Sequence, residues 1–220
     1  MSPSTRGRRI VLLCEGDTEE LAVRNFIARQ WQSDGFGSIG LHTVNLNSKH
    51  QDGPTKAALY LDEPEVLAVF TLVDLQGMNR VDHSHHDSLE TKVTRVRDWF
   101  RARLEHSRAN DFFPHICVHE TEAWVLAEGA ALANRLDDAG IGPDPGAETK
   151  NFQHPPKRRI NDLFMSHKGD RYQKIRDGRP LFAALQFDPI YRTCKYFRTF
   201  YDDLTRVGTN AQATVEAGGH

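Results

Sequence analysis

The chain has 220 residues, 39% hydrophobic and 26% charged, enough to bury a core without disulfide staples. It contains no run of about 18 apolar residues, which excludes a membrane-spanning helix of ordinary length, and its three cysteines (Cys14, Cys117, Cys194) are too few and too scattered for a disulfide framework or zinc ribbon. The net charge of −2 selects no partner, yet it is unevenly spread: Lys150–Arg198 holds 12 Lys and Arg against 4 Asp and Glu, leaving −10 for the remainder.

The polar N-terminus, residues 1–8, reads as flexible. Arg9-Ile10-Val11-Leu12-Leu13-Cys14 is a short, continuously apolar run ended by turn residues, the pattern of a buried strand. It is too short for the core of a signal peptide, which needs about 7–15 residues, so a cytoplasmic location is expected. Glu15-Gly16-Asp17-Thr18 forms the turn, with Asp17 or Thr18 available as a helix cap. Ala22, Val23, Phe26, Ile27 and Trp31 then fall on one helical stripe. Ile39–Leu46 alternates like a second strand, and Thr55–Leu61 fits a short helix. Glu65–Asp74 is the clearest buried strand and ends on an acid. Asp82–Asp87 is a polar, histidine-rich loop. Leu89, Val93, Val96, Phe100 and Leu104 mark a long amphipathic helix. Pro114–Val118 is a fourth strand, running into a helix over Glu120–Ala127.

Gly140–Gly146 is the best subdomain boundary. Tyr191, Cys194, Phe197, Tyr201 and Leu204 form a last helical stripe, and 207–220 lacks a core-forming pattern, which predicts a disordered tail. Alternating strands and helices indicate an α/β fold with a mainly parallel sheet. The expected organisation is one domain over 9–206, with a sheet core at 9–139 and a basic helical C-terminal part at 147–206.

Chemistry concentrates at the strand ends. Glu15 follows the first strand at the carboxyl edge, where open α/β sheets place ligands. Glu19 lies one helical turn further on. Asp74 leaves another buried strand at the same edge if the two are parallel. Glu120 and Glu122, from His119-Glu120-Thr121-Glu122, follow the fourth strand and can add to the group. Converging carboxylates repel one another, and a hard cation such as Mg²⁺ or Mn²⁺ relieves that repulsion. Singly, each acid also has an ordinary structural role, for instance Glu19 and Glu20 at a helix N-terminus.

Val11-Leu12-Leu13-Cys14-Glu15-Gly16-Asp17-Thr18-Glu19-Glu20 resembles the first motif of Toprim domains, found in topoisomerases, bacterial primases and OLD (overcoming lysogenization defect) nucleases. Over roughly Arg9–Leu204 the chain resembles the bacterial family known as domain of unknown function 4276. The shared features are the Glu-Gly-x-Thr-Glu turn, Thr71-Leu72-Val73-Asp74, and His119-Glu120-Thr121-Glu122-Ala123-Trp124. Further along they are Pro156-Lys157-Arg158, Tyr172-x-Lys174 with Asp177-Gly178, and the Cys194 and Phe197 helix. The resemblance implies a Toprim-like, Rossmann-like fold and metal centre. Glu15 matches the glutamate that binds metal or handles protons, Asp74 the first acid of an Asp-x-Asp motif, and Glu19 an extra acid of OLD-type nucleases. The second aspartate is replaced by Gln76, which carries no charge; Glu120 or Glu122 is the expected substitute. The resemblance also implies bacterial anti-phage defence with a partner ATPase.

The basic third supplies the other half of a polyanion site. Lys157, Arg158, Arg159, Arg171 and Lys174 are the expected nucleic-acid contacts, because Lys and Arg make most phosphate contacts. Lys174 is also expected to stabilise charge on a phosphodiester. The same cations are equally suited to pairing with the protein's own acids. His83, His85 and His86 are too close in sequence to close a tetrahedral site and read as a solvated loop; His115 and His119 lie nearer the acids. The leading expectation is a metal-dependent nuclease acting on DNA or RNA. A non-catalytic, nucleic-acid-binding subunit and a nucleotide phosphohydrolase are the alternatives, and a homo-oligomer is compatible with each. The chain has no Gly-x-x-x-x-Gly-Lys phosphate loop, so ATP dependence would have to come from a partner.

Overall fold

In a computed structural model, residues 7–78, 87–149 and 154–217 are described, with side chains up to 214 in the last helix. Four strands form one sheet: β1 (Arg9–Cys14), β2 (Gly40–Asn45), β3 (Val66–Asp74) and β4 (Phe112–Cys117). Their order is β2-β1-β3-β4 and every pairing is parallel. Parallel strands need crossovers and are covered on both faces, which explains why β1 and β3 are almost wholly apolar between their ends, with Thr71 buried among them. Alternate β1 residues enter different cores: Ile10, Leu12 and Cys14 on one face, Val11 and Leu13 on the other.

The first core is closed by a long helical segment. It begins as α1 (Asp17–Ala22), passes through a π-helical turn (Val23–Ile27) and continues as α2 (Ala28–Ser33). Ala22, Val23, Phe26, Ile27 and Trp31 are all buried there. The second core lies under α3 (Gly53–Leu61) and α4 (Leu89–Arg101). The Ser88 hydroxyl caps α4 by accepting the Thr91 N–H at 3.1 Å.

After β4 the chain is helical: α5 (Glu122–Glu128), α6 (Ala130–Leu136), α7 (Pro156–Lys168), α8 (Lys174–Ala184), α9 (Phe187–Thr193) and α10 (Lys195–Ala217). The stripe from Tyr191 to Leu204 is therefore split at Cys194 between two helices. The disordered tail expected over 207–220 does not hold through 217. Gly208 passes close to Trp31 and Phe36, Ala211 is buried, and the Arg8 guanidinium donates to the Ala211 carbonyl at 2.7 Å. Small residues there allow close helix packing, which a search for large apolar side chains overlooks. The three cysteines are buried free thiols. Among the described residues no helix is long and apolar enough to cross a membrane.

Candidate functional site

The order β2-β1-β3-β4 places the topological switch between β1 and β3, where a crevice opens beyond the carboxyl ends. Glu15 follows β1 and Asp74 ends β3, so these two acids flank that crevice. They are joined directly: the Asp74 backbone N–H donates to the Glu15 carboxylate at 2.6 Å. Asp74 in turn accepts the Gln76 N–H at 2.9 Å. Gln76 itself does not line the cleft. Gly77 is needed for space, because a Cβ there would lie 2.8 Å from Glu15 Oε1 and 2.9 Å from the His50 ring.

Gly16, not Asp17 or Thr18, is the N-cap of α1. Its N–H donates to the Glu19 carboxylate at 3.0 Å, the reaching-back half of a capping box. The Asp17 carboxylate instead accepts from the Asn45 side chain at 2.9 Å. Glu19 is thus both a helix-end acid and a cleft residue.

The loop after β2 forms another wall. Ser48 N–H donates to the Glu15 carbonyl at 2.9 Å, and His50 Nε2 lies 3.9 Å from Glu15 Oε1. Asn47 and Ser48 both have positive φ, at 50° and 60°, a conformation that costs energy for residues other than glycine. This wall was missed in the sequence, although β2 beside β1 in a parallel sheet must deliver its following loop to the same edge.

Glu120 and Glu122 enter from the turn after β4. Glu120 lines the cleft and accepts the Lys157 backbone N–H at 3.3 Å, so it steadies the N-terminus of α7. Glu122 is fully buried behind it beside the Tyr172 hydroxyl, and among the described residues neither of its oxygens makes a hydrogen bond of ordinary geometry. Opposite, the first turn of α8 brings Lys174 into the cleft, whose volume is about 830 Å³. The α8 turn is clamped by buried Asp177, which accepts the Gln173 N–H at 2.9 Å and pairs with Arg176 and Arg135.

Electrostatics reflect this crowding. Burial, reinforced by Glu122 and Glu15 and opposed by Lys174, pushes Glu19 up to about 8. Burial also raises Asp74 to about 7, with Glu15, Glu120 and Glu122 adding to it against the Gln76 N–H bond. Glu122 rises to about 7 through burial and Glu120, with Lys174 opposing. For Lys174, burial disfavours the charge, but Glu122, Glu120, Glu19 and Asp74 outweigh it and hold the pKa above its ordinary value.

All five expected acids and Lys174 therefore belong to one electrostatic group. Among the described residues, no group of three or more His, Cys, Asp or Glu side chains is placed so that it could hold a metal ion. The donor chemistry of the acids nevertheless fits Mg²⁺ or Mn²⁺: carboxylate oxygens, excess negative charge, and the fully buried carboxylate of Glu122. Mg²⁺ commonly keeps several waters and uses only one or two carboxylates, so a closed protein shell is not required.

The expected basic contacts divide. Lys157 lines the acid cleft, and Lys157, Arg158 and Arg171 line an adjoining hollow. Arg159 does not reach either; it pairs with Asp144. His115 is also excluded. It is a core histidine stacked on Phe70, with Nε2 3.1 Å from Asp203, and burial lowers its pKa against that partner's pull. His119 is buried and does not line the cleft. The histidine run His83–His86 lies outside the described residues.

The C-terminal region of the Xanthomonas campestris pv. campestris OLD protein superposes with a TM-score of 0.50 at 14% identity, covering 95% of this chain and 98% of that one. The corresponding region of the Burkholderia pseudomallei OLD protein gives 0.44 at 15% identity, covering 92% and 99%. No curated protein matches the sequence. The first likeness shows a Toprim-like fold, and the match of residues 14–205 to the family model "Domain of unknown function (DUF4276)" makes the chain a member of that family.

Proposed function

We propose that the cleft is a metal-dependent phosphodiesterase centre acting on DNA or RNA. The observation that carries this reading is the meeting of Glu15, Glu19, Asp74 and Glu120 with Lys174 in one cleft, backed by the fully buried Glu122. Glu15, Asp74 and Glu19 would hold Mg²⁺ or Mn²⁺, with Glu120 and Glu122 behind them. When bound, the ion supplies Lewis-acid activation of water and neutralises phosphate charge.

The protein's own groups do the rest. Backbone N–H bonds hold one oxygen each of Glu15, Asp74 and Glu19, fixing the carboxylates before a ligand arrives. Lys174, kept protonated by the surrounding acids, faces a bound phosphate and stabilises charge that develops on it. The fold of the OLD C-terminal regions supports a nuclease-related role, as does the family resemblance, which also suggests anti-phage defence beside an ATPase.

The test is incubation with plasmid, single-stranded DNA, RNA and nucleotides in Mg²⁺ or Mn²⁺, beside Glu15→Ala. Metal-dependent cleavage of a polymer, abolished in the variant, is the expected outcome. Binding of polymers without cleavage would replace this reading with a non-catalytic subunit, which the uncharged Gln76 and the absence of a ready metal-holding group among the described residues favour.

A further inference from the structure

Several cations of the C-terminal part are held in ion pairs. Arg159 pairs with Asp144, Arg176 with Asp170 and Asp177, Arg192 with Asp188, and Lys195 with Glu90. These are neutralised locally. The Arg158 and Arg171 guanidiniums have no ion pair among the described residues. They come from different elements, Arg158 from α7 and Arg171 from the segment before α8, yet line the same hollow of about 520 Å³.

That hollow adjoins the acid cleft. The two share Glu120, Lys157, Tyr172 and Gln173 as walls. The Asn161 and Gln173 side chains add amide donors to the two guanidiniums. Two planar cations beside two amides suit a phosphate oxygen cluster, since guanidinium groups fork onto phosphate. The first-turn N–H of α7 at Lys157 is not available for this purpose, because Glu120 already takes it.

We infer that this hollow is a subsite for a phosphate next to the one in the acid cleft. The substrate would then be a chain of phosphodiesters, and a mononucleotide would leave half of the site empty. This rests on the phosphodiesterase reading above, and it adds a division of labour. The acid cleft repels phosphate unless a cation is present, whereas the Arg158–Arg171 hollow attracts it in either case. A strand could therefore be held through the hollow before metal completes the reacting end.

The experiment compares wild type with Arg158→Gln/Arg171→Gln on two substrates, a short single-stranded oligonucleotide and bis(p-nitrophenyl) phosphate, which has only one phosphate. Both arginines are exposed, and circular dichroism checks that the variant is folded. The expected result is a KM for the oligonucleotide raised at least tenfold, with a far smaller change on the one-phosphate substrate. Equal losses on both would overturn the subsite.

Should wild type hydrolyse neither substrate, the phosphodiesterase reading fails, and the subsite is judged by fluorescence anisotropy of the labelled oligonucleotide in EDTA. Binding at least tenfold weaker in the variant, with a shallower salt dependence, upholds it. Equal binding overturns it.

Discussion

The Asp74 backbone N–H and the Glu15 carboxylate are 2.6 Å apart, so the acid after one strand is held by the end of its neighbour. The pair cannot be separated without disturbing the β1–β3 edge, and each residue sets the position of the other. Metal affinity should respond accordingly. Glu15→Ala and Asp74→Ala should each weaken Mn²⁺ binding at least tenfold by calorimetry, and the double variant should show no binding. Gly77→Ala should weaken it as well, because its Cβ takes the space used by Glu15 Oε1 and the His50 ring. Unchanged Mn²⁺ affinity in the double variant would remove the proposed centre.

Stability without metal should depend on pH in an unusual direction. Glu19, Asp74 and Glu122 have folded pKa values of about 8, 7 and 7, all above the ordinary carboxylate range. The folded state therefore holds more protons than the unfolded state between about pH 4 and 8. Stability from these groups is fully present below their unfolded pKa values and is lost as pH rises through the folded ones. In EDTA, the melting temperature should fall from pH 5 to pH 8. Mn²⁺ should restore it, most strongly at the alkaline end, where fewer protons have to be displaced. A melting temperature that is flat or rising in EDTA over that range would contradict the assignment.

Glu148 offers a test of fold separate from the cleft. Its two oxygens accept the Tyr196 and Phe197 N–H groups, each at 2.9 Å, and so cap α10. Glu148→Ala should cost about 1–2 kcal/mol, the upper range for loss of a helix cap. For a chain of this size that is a fall of several degrees in melting temperature. Mn²⁺ affinity of the folded variant should stay as in wild type.

At Gly208 the sign of the change is informative. In an exposed helix, Gly→Ala stabilises by roughly 1 kcal/mol. Here the added Cβ would lie 2.6 Å from the Trp31 ring and 2.8 Å from Phe36. Gly208→Ala should therefore destabilise, by about 1–3 kcal/mol for a crowded core. Chemical denaturation measures the sign, and a stabilised variant would show that α10 does not pack against Trp31.

These cases also show which parts of the molecule could be read from sequence. Arg9–Cys14 and Val66–Asp74 are mostly apolar because each strand is buried on both sides, so Glu15 and Asp74 at their ends stood out. Glu120 and Glu122 were legible because they follow a further strand, β4, at the edge of the sheet. The loop at Asn47 and Ser48 left no local mark, since its place beside Glu15 comes from strand order. Arg158 and Arg159 are adjacent in sequence, but their side chains part: one lines a hollow and the other meets Asp144. His115 stood next to the acid block in sequence, yet strand alternation points it toward α10 and Asp203. The course of α10 beyond Val207 depends on close packing of small residues, which hydrophobic periodicity does not detect.

Lys174 comes late in the chain, whereas all five acids precede it by at least fifty positions. A nascent chain therefore displays its carboxylates well before the lysine, Arg158 and Arg171 can dock beside them. On the phosphodiesterase reading, the half-made site would still lack Lys174, the cation that faces the phosphate. The cleft is complete only after α8 has emerged and packed against α1.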